Sequence, residues 1–178
     1  MRVGIDISQV AYGNTGVANY LSSLIREMIR QDAKNEYILF FSSLRGKFPI
    51  SNFQFPINST NVRIVKSPLP PTVLDLLWNK LHVFPIEWFV GDVDVFITSD
   101  WTEPPAKKAK KATIIYDLIV FKHPEESDQK IVSVQKRKLA WVKKESDIVF
   151  CISESSRNDA IEILGFDPKK VKVIYPGL

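Results

Sequence analysis

Cysteine occurs once and histidine twice among the 178 residues, which removes two common ways of building a site. The single cysteine, Cys151, lies inside the apolar run DIVFCI. No disulfide can close within the chain, a reducing compartment is expected, and the thiol reads as a small buried hydrophobe. His82 and His123 stand far apart, and no cysteine–histidine spacing suits an ion, so no metal is expected. No apolar run reaches membrane-spanning length. The stretch after Arg2 is broken by Asp6, too short for a signal peptide, so a cytoplasmic location is expected. Two phosphate-binding signatures are also missing. There is no G-x-x-x-x-G-K-[ST], so Arg45-Gly46-Lys47 is not a P-loop. There is no G-x-G-x-x-G either, and the second strand ends FFSS without an acid for a ribose, which disfavours a nicotinamide dehydrogenase.

What is present suits one folded domain: 45% hydrophobic and 25% charged residues, with no internal repeat or low-complexity tract. A net charge of +4 tilts the chain toward acidic partners, including phosphates, nucleotides and an anionic membrane face. The run Lys107-Lys108-Ala109-Lys110-Lys111 could touch anionic lipid or serve only as a solvated loop. Aromatics are not interleaved with these lysines, so no nucleic-acid partner is expected.

Strand and helix signals alternate. Apolar runs at 2–7, 36–41, 62–65, 93–97, 112–116, 147–152 and 171–174 read as strands. Val17, Tyr20, Leu21, Leu24, Ile25, Met28 and Ile29 follow a helical period. Thr72 is expected to cap a helix that Pro85 ends, and 127–145 a long basic helix with Ile131, Val134, Leu139 and Trp141 or Val142 inward. Ser153 is expected to cap a helix over 153–164. Residues 42–61 carry turn formers and read as an irregular excursion. The order predicts an α/β fold, a Rossmann-like open parallel sheet with helices on both faces.

Ligands of such sheets bind at the carboxyl ends of the strands, where four loops carry polar residues. Gly13, Asn14, Thr15 and Gly16 lead into the first helix; unusual backbone angles and free N–H groups there suit a phosphate, or simply a tight turn. Tyr116 and Asp117 follow the fifth strand, where the carboxylate could orient a sugar hydroxyl, take its proton, or cap a turn. Asp100 and Trp101 combine a carboxylate with a ring that could stack on a sugar, or anchor the loop. Ser153 and Glu154 suit a helix start, whereas Arg157 opposes the helix dipole, a conflict that an anionic ligand would relieve.

Five segments in order carry a resemblance: GNTGVANYLSSLIREM, LLWNKLHVFP, DVFITSDWTEPP, IYDLIVFKHPE and SDIVFCISESSRNDAIEILGFDPKKVKVIYPG. Together they resemble the N-terminal domain of retaining glycosyltransferases of family 4 (glycosyl transferases group 1), which have the GT-B architecture. The resemblance spans essentially the whole chain and departs where Tyr116-Asp117 replaces the family's usual His-Asp. It implies one acceptor-side domain over 1–178, with the nucleotide-sugar domain and its Glu-x₇-Glu signature absent from this chain. The isolated domain is then expected to be inactive. A nucleotide sugar would be the co-substrate, with no cofactor and no metal. The acceptor would be a polysaccharide, a lipid-linked precursor or a small molecule, with peripheral contact at the inner membrane face. Gly13 to Gly16 would face the donor diphosphate and Asp117 would be the catalytic carboxylate. Asp100, Trp101, Tyr116, Ser153, Glu154 and Arg157 would line the acceptor side. A stand-alone α/β module for an anionic ligand or partner, and half of a two-domain nucleotide-sugar epimerase, remain the alternatives.

Overall fold

The computed structural model describes residues 1–13, 15–44 and 60–177. Asn14, the Arg45-Gly46-Lys47 triplet and residues 45–59 of the 42–61 excursion lie outside the described residues. Seven strands form one parallel sheet in the order β3-β2-β1-β4-β5-β6-β7. They are β1 (Arg2–Asp6), β2 (Glu36–Ser42), β3 (Val62–Ser67), β4 (Val95–Thr98), β5 (Lys110–Ile115), β6 (Ile148–Cys151) and β7 (Val171–Val173). The expected Rossmann-like sheet is therefore the one observed.

Alternation along β2 shows why helices cover both faces. Tyr37, Leu39 and Phe41 pack with Leu21, Ile25 and Ile29 of α1 (Gly16–Gln31), the stripe that the helical period marks. Ile38 and Phe40 point the other way, onto Leu74, Trp78, Ile86 and Val90. A strand buried on both sides reads as a near-continuous apolar run, as Tyr37 to Phe41 do. Beyond β1, Ile115, Val149 and Cys151 pack with Leu139 and Val142 of α5 (Gln129–Glu145) and Ala160 of α6 (Glu154–Glu162). Burial pushes the Cys151 thiol up to about 11, so it stays protonated at neutral pH.

Three expectations need correction. The helix after β3 is not capped by Thr72: α2 (Pro71–Leu74) starts after Pro70, with Pro71 at its first position. A proline there loses nothing, because that N–H would be unpaired in any helix. From Asp75 to Lys80 the turns widen to π geometry, which sinks Trp78 and Asn79 into the interior. The inner stripe of α5 is shifted too: Val132, Lys138, Leu139 and Val142 are buried, whereas Ile131 is exposed. Finally, Gly16 has no positive φ, because it is already the first residue of α1. The short helices α3 (Glu87–Val90) and α4 (Ile119–Lys122) gave no periodic signal, being single turns.

A buried ionic network ties the second half of the sheet together. Lys111 of β5 reaches Glu103 Oε1 at 2.8 Å and Glu145 Oε2 at 2.9 Å. Glu103 is wholly buried, accepts from Thr98 Oγ1 at 2.6 Å, and its N–H donates to Asn79 Oδ1 at 3.0 Å. Glu145 also meets His82 Nε2 at 2.8 Å. Lys138, buried on α5, donates from Nζ to the Ser99 carbonyl.

Gly4 pairs across the sheet with Phe96, whose ring lies where a side chain on residue 4 would be. A Cβ at Gly4 would stand 2.6 Å from a Phe96 ring carbon, and Phe96 is itself buried. Gly4→Ala is expected to cost about 1–3 kcal/mol by overpacking, measured by urea unfolding, and Phe96→Leu in the same chain should restore part of it. Glu103→Gln leaves the buried Lys111 and Lys138 short of one compensating charge. A loss of about 3 kcal/mol is expected; an unchanged urea midpoint would show that the network is inessential.

Candidate active site

Strand order reverses between β1 and β4, and at such a point an open sheet leaves a crevice beyond its carboxyl ends. Two clefts open at the carboxyl ends of β4 to β7, against the start of α1, and share a rim. A cleft of about 270 Å³ is lined by Asp100, Trp101, Tyr116, Asp117, Gln135 and Lys138, among others. A wider one of about 690 Å³ is lined by Gly16, Asn19, Tyr20, Tyr116, Asp117 and Tyr175, among others. Val17, Tyr116 and Asp117 border both. The end of β5 and the start of α1 thus form the ridge between them.

Each side chain on this ridge has a definite task. Tyr116 is buried; its hydroxyl and Ser99 Oγ are 2.8 Å apart, and its ring meets Tyr20 edge-on at 5.7 Å. Its carbonyl accepts from Ser156 Oγ at 2.9 Å. Burial pushes the phenol above its usual range, so it is a neutral hydrogen-bonding pillar. Asp117 by contrast is exposed at the rim, and its Oδ1 accepts from the Ile119 N–H at 3.1 Å. That bond fixes the carboxylate's direction by closing a turn on its own backbone. Thr15 caps α1 through Oγ1, which accepts from the Ala18 N–H at 3.2 Å. No acidic residue occupies the first turn of α1, and Gly16, exposed there, lines the wider cleft.

On the far wall, Asp100 accepts from Gln135 Nε2 through its carbonyl at 3.0 Å and Oδ1 at 3.2 Å. Burial raises its pKa, opposed by the charge of Lys138 and by the Gln135 bond. Trp101, which lines the cleft, is held through its carbonyl, which accepts from Asn79 Nδ2 at 2.9 Å. At the end of β1, Asp6 Oδ1 accepts from the Ser8 N–H and Oγ at 2.9 and 2.6 Å. Ser153, Glu154 and Arg157 line neither cleft. Ser153 Oγ caps α6 by accepting from the Ser156 N–H at 3.1 Å, and Arg157 lies 3.6 Å from Glu154. The charge conflict at the start of α6 is thus eased within the helix itself. Gly13 is exposed in the turn before α1.

A family model described as Glycosyltransferase Family 4 matches residues 14–178. The chain belongs to glycosyltransferase family 4. No curated protein matches it. Among solved structures it resembles HepE of Anabaena, determined in complex with UDP, at 13% identity and TM-score 0.52 over 99% of this chain and 44% of that one. It also resembles UGT2 of Phytolacca americana, determined in apo form, at 8% identity and TM-score 0.54 over 99% of this chain and 52% of that one. The chain spans about half the length of these two structures, and at such identities the likeness concerns the fold. Family and fold together identify an N-terminal GT-B domain of a family 4 transferase.

Several lining residues escaped sequence reasoning. Tyr20 was legible only as part of an apolar stripe, and Tyr175 stands after the last strand. Gln135 and Lys138 were hidden in a helix that reads as uniformly basic. The available signal was Lys138's place one turn before Val142, where an apolar residue would be ordinary. Because burial raises the Asp100 pKa, its protonated form favours folding. That contribution is present below the unfolded value and lost as pH rises through the folded one. Asp100→Asn is therefore expected to have a higher urea midpoint than the parent near pH 7, and the two should converge near pH 4. A lower midpoint for the variant near pH 7 would show that the carboxylate charge is stabilising.

Proposed function

We propose that this domain holds the acceptor in a retaining glycosyl transfer from a nucleotide sugar, the nucleotide being gripped by a second domain. The observation that supports this most directly is the shared rim, where the exposed Asp117 carboxylate stands between two clefts beside the start of α1. Thr15 and Gly16, with Gly13, present backbone N–H groups toward the donor diphosphate and offset the charge that develops as its bond to the anomeric carbon breaks. Asn14 belongs to the same loop but lies outside the described residues. Asp117 orients the acceptor hydroxyl and accepts its proton as the new bond to the anomeric carbon forms. Trp101 offers a ring for the C–H face of an acceptor sugar, and Asp100 a hydrogen-bonding wall. Tyr116 acts indirectly, fixing the backbone from which Asp117 projects.

Ser153, Glu154 and Arg157 follow Ile152, which borders the wider cleft, and would meet only an extended acceptor. Polysaccharide, lipid-linked and small-molecule acceptors all satisfy these features. No helix among the described residues is long and apolar enough to cross a membrane, and we place the enzyme in the cytoplasm, with no metal required for its chemistry.

The test joins this chain to the nucleotide-sugar domain of a family 4 enzyme and measures transfer from UDP-sugars to a panel of saccharide acceptors. UDP-sugars come first because HepE was determined with UDP. Asp117→Asn should lower kcat by about a hundredfold or more. Gly16→Val should weaken donor use, since a Cβ there meets no atom within 4 Å beyond its chain neighbours and its own helix backbone and would enter the wider cleft. Full activity in both variants, or turnover by the present chain alone, would overturn the assignment.

A further inference from the structure

At the opposite end of the sheet from the clefts, the chain keeps large apolar side chains in water. Leu81 is 58% exposed and Trp88 62%, and Val83 and Phe84 between them are exposed as well. This is not a loose loop. The Val83 N–H donates to the Leu77 carbonyl at 2.9 Å, and the Phe84 carbonyl accepts from Trp78 Nε1 at 3.0 Å. His82 is stacked on Trp141 at 3.6 Å between its bonds to the Trp78 carbonyl and Glu145. His82 and Phe84 both have positive φ, at 52° and 61°, which is strained for residues with large side chains. Buried anchors therefore hold a costly backbone that keeps apolar groups facing outward.

Cations surround this ledge. Lys107 Nζ lies 4.9 Å from the Trp88 ring centroid, and Trp88 meets Phe84 at 5.6 Å. Lys108, next to Lys107, is exposed, and Lys144 Nζ sits 4.7 Å from the Trp141 ring centroid. Three of the acids at this end are engaged, while Asp92 and Asp94, between α3 and β4, stand exposed. Glu87 Oε1 accepts from the Lys107, Lys108 and Ala109 N–H groups at 2.8–3.1 Å, fixing the lysine loop onto α3. Glu145 pairs with Lys111 and His82, and Asp147 with Lys110.

We infer that this ledge, Leu81 to Phe84 with Trp88, Lys107 and Lys108, is a docking surface for an anionic lipid bilayer. A tryptophan and aliphatic side chains suit the headgroup boundary, and lysines beside them find anionic lipid. A second copy of the chain fits worse, because a two-fold contact would set these lysines against one another. The surface lies before β4 and β5, so a docked chain leaves the clefts beyond the carboxyl ends uncovered. The inference concerns a separate surface and stands whether or not the proposed transfer is correct.

The test is co-sedimentation of the chain with vesicles of phosphatidylcholine alone or mixed with phosphatidylglycerol, at low and high salt. Binding is expected only with the anionic lipid and weakens with salt. Lys107→Ala with Lys108→Ala should reduce partitioning about twenty-fivefold, at roughly fivefold per lysine. Trp88→Ser should reduce it about tenfold or more. All three side chains are exposed, so the variants should keep the parent's urea midpoint. No binding to anionic vesicles overturns the inference, as does unchanged binding of Trp88→Ser. A chain that ignores vesicles but dimerises through Trp88 points to a second copy and overturns it. Equal binding to polyglutamate, indifferent to Trp88→Ser, points to an acidic protein and overturns it too.

Discussion

Lys111 lies between the wholly buried Glu103 and the partly exposed Glu145, and much of the molecule is arranged around that contact. An isolated ion so deep would be too costly to keep charged; paired on both sides and hydrogen-bonded through Thr98 and Asn79, it fixes geometry instead. Glu103 belongs to the loop after β4, Asn79 to the widened turn after α2, Lys111 to β5 and Glu145 to the end of α5. One set of charges therefore sets the mutual positions of four elements. Apolar packing alone specifies positions less sharply, because its contacts carry no direction.

The clefts inherit that precision. Ser99 and Asp100 follow β4 and are held from α5 by Lys138 and Gln135, while Ser99 in turn meets the Tyr116 phenol. Tyr116 joins this wall to α1 through Tyr20, whose hydroxyl donates to the Ile174 carbonyl near the end of the chain. Asp117 then emerges from a backbone secured on several sides. Rigid support of this kind is what a group must have if it is to meet one hydroxyl of a polyhydroxylated acceptor. Where the family's usual histidine would stand, a buried tyrosine serves as a brace, and the neighbouring aspartate keeps its place at the rim.

The two ends of the sheet carry different chemistry. Beyond the carboxyl ends lie polar groups with a few rings, suited to a hydrated ligand. Near the amino ends of β4 and β5 lie outward-facing apolar groups framed by lysines. The same network serves both, since His82, which braces the apolar ledge, is bonded to Glu145 of the ionic cluster. The cleft rim and the apolar ledge fit on one compact α/β layer without competing for the same residues.

Strand positions along the chain, the long helices and the family were legible in the sequence because each rests on local patterns. Val3, Ile5 and Ile7 mark a buried strand, Leu21, Ile25 and Ile29 a helix face, and Ser153 a cap; these are fixed by periods of two and 3.6 and by orphan N–H groups. The ligand-bearing loops could be located from the same patterns, which brought Asp100, Trp101, Tyr116 and Asp117 to one place. Their roles were not legible. Whether a phenol binds ligand or braces a core depends on a partner seventeen positions away in sequence, Ser99. That α5 buries Lys138 follows from carbonyls and carboxylates that other elements deliver, as does the π geometry that seats Asn79 against Glu103. Sequence by itself determined the seven strands and the three long helices, and which loops follow them. Tertiary structure decided which polar side chains face ligand and which hold the frame, because burial and hydrogen-bond partners are properties of the assembled chain.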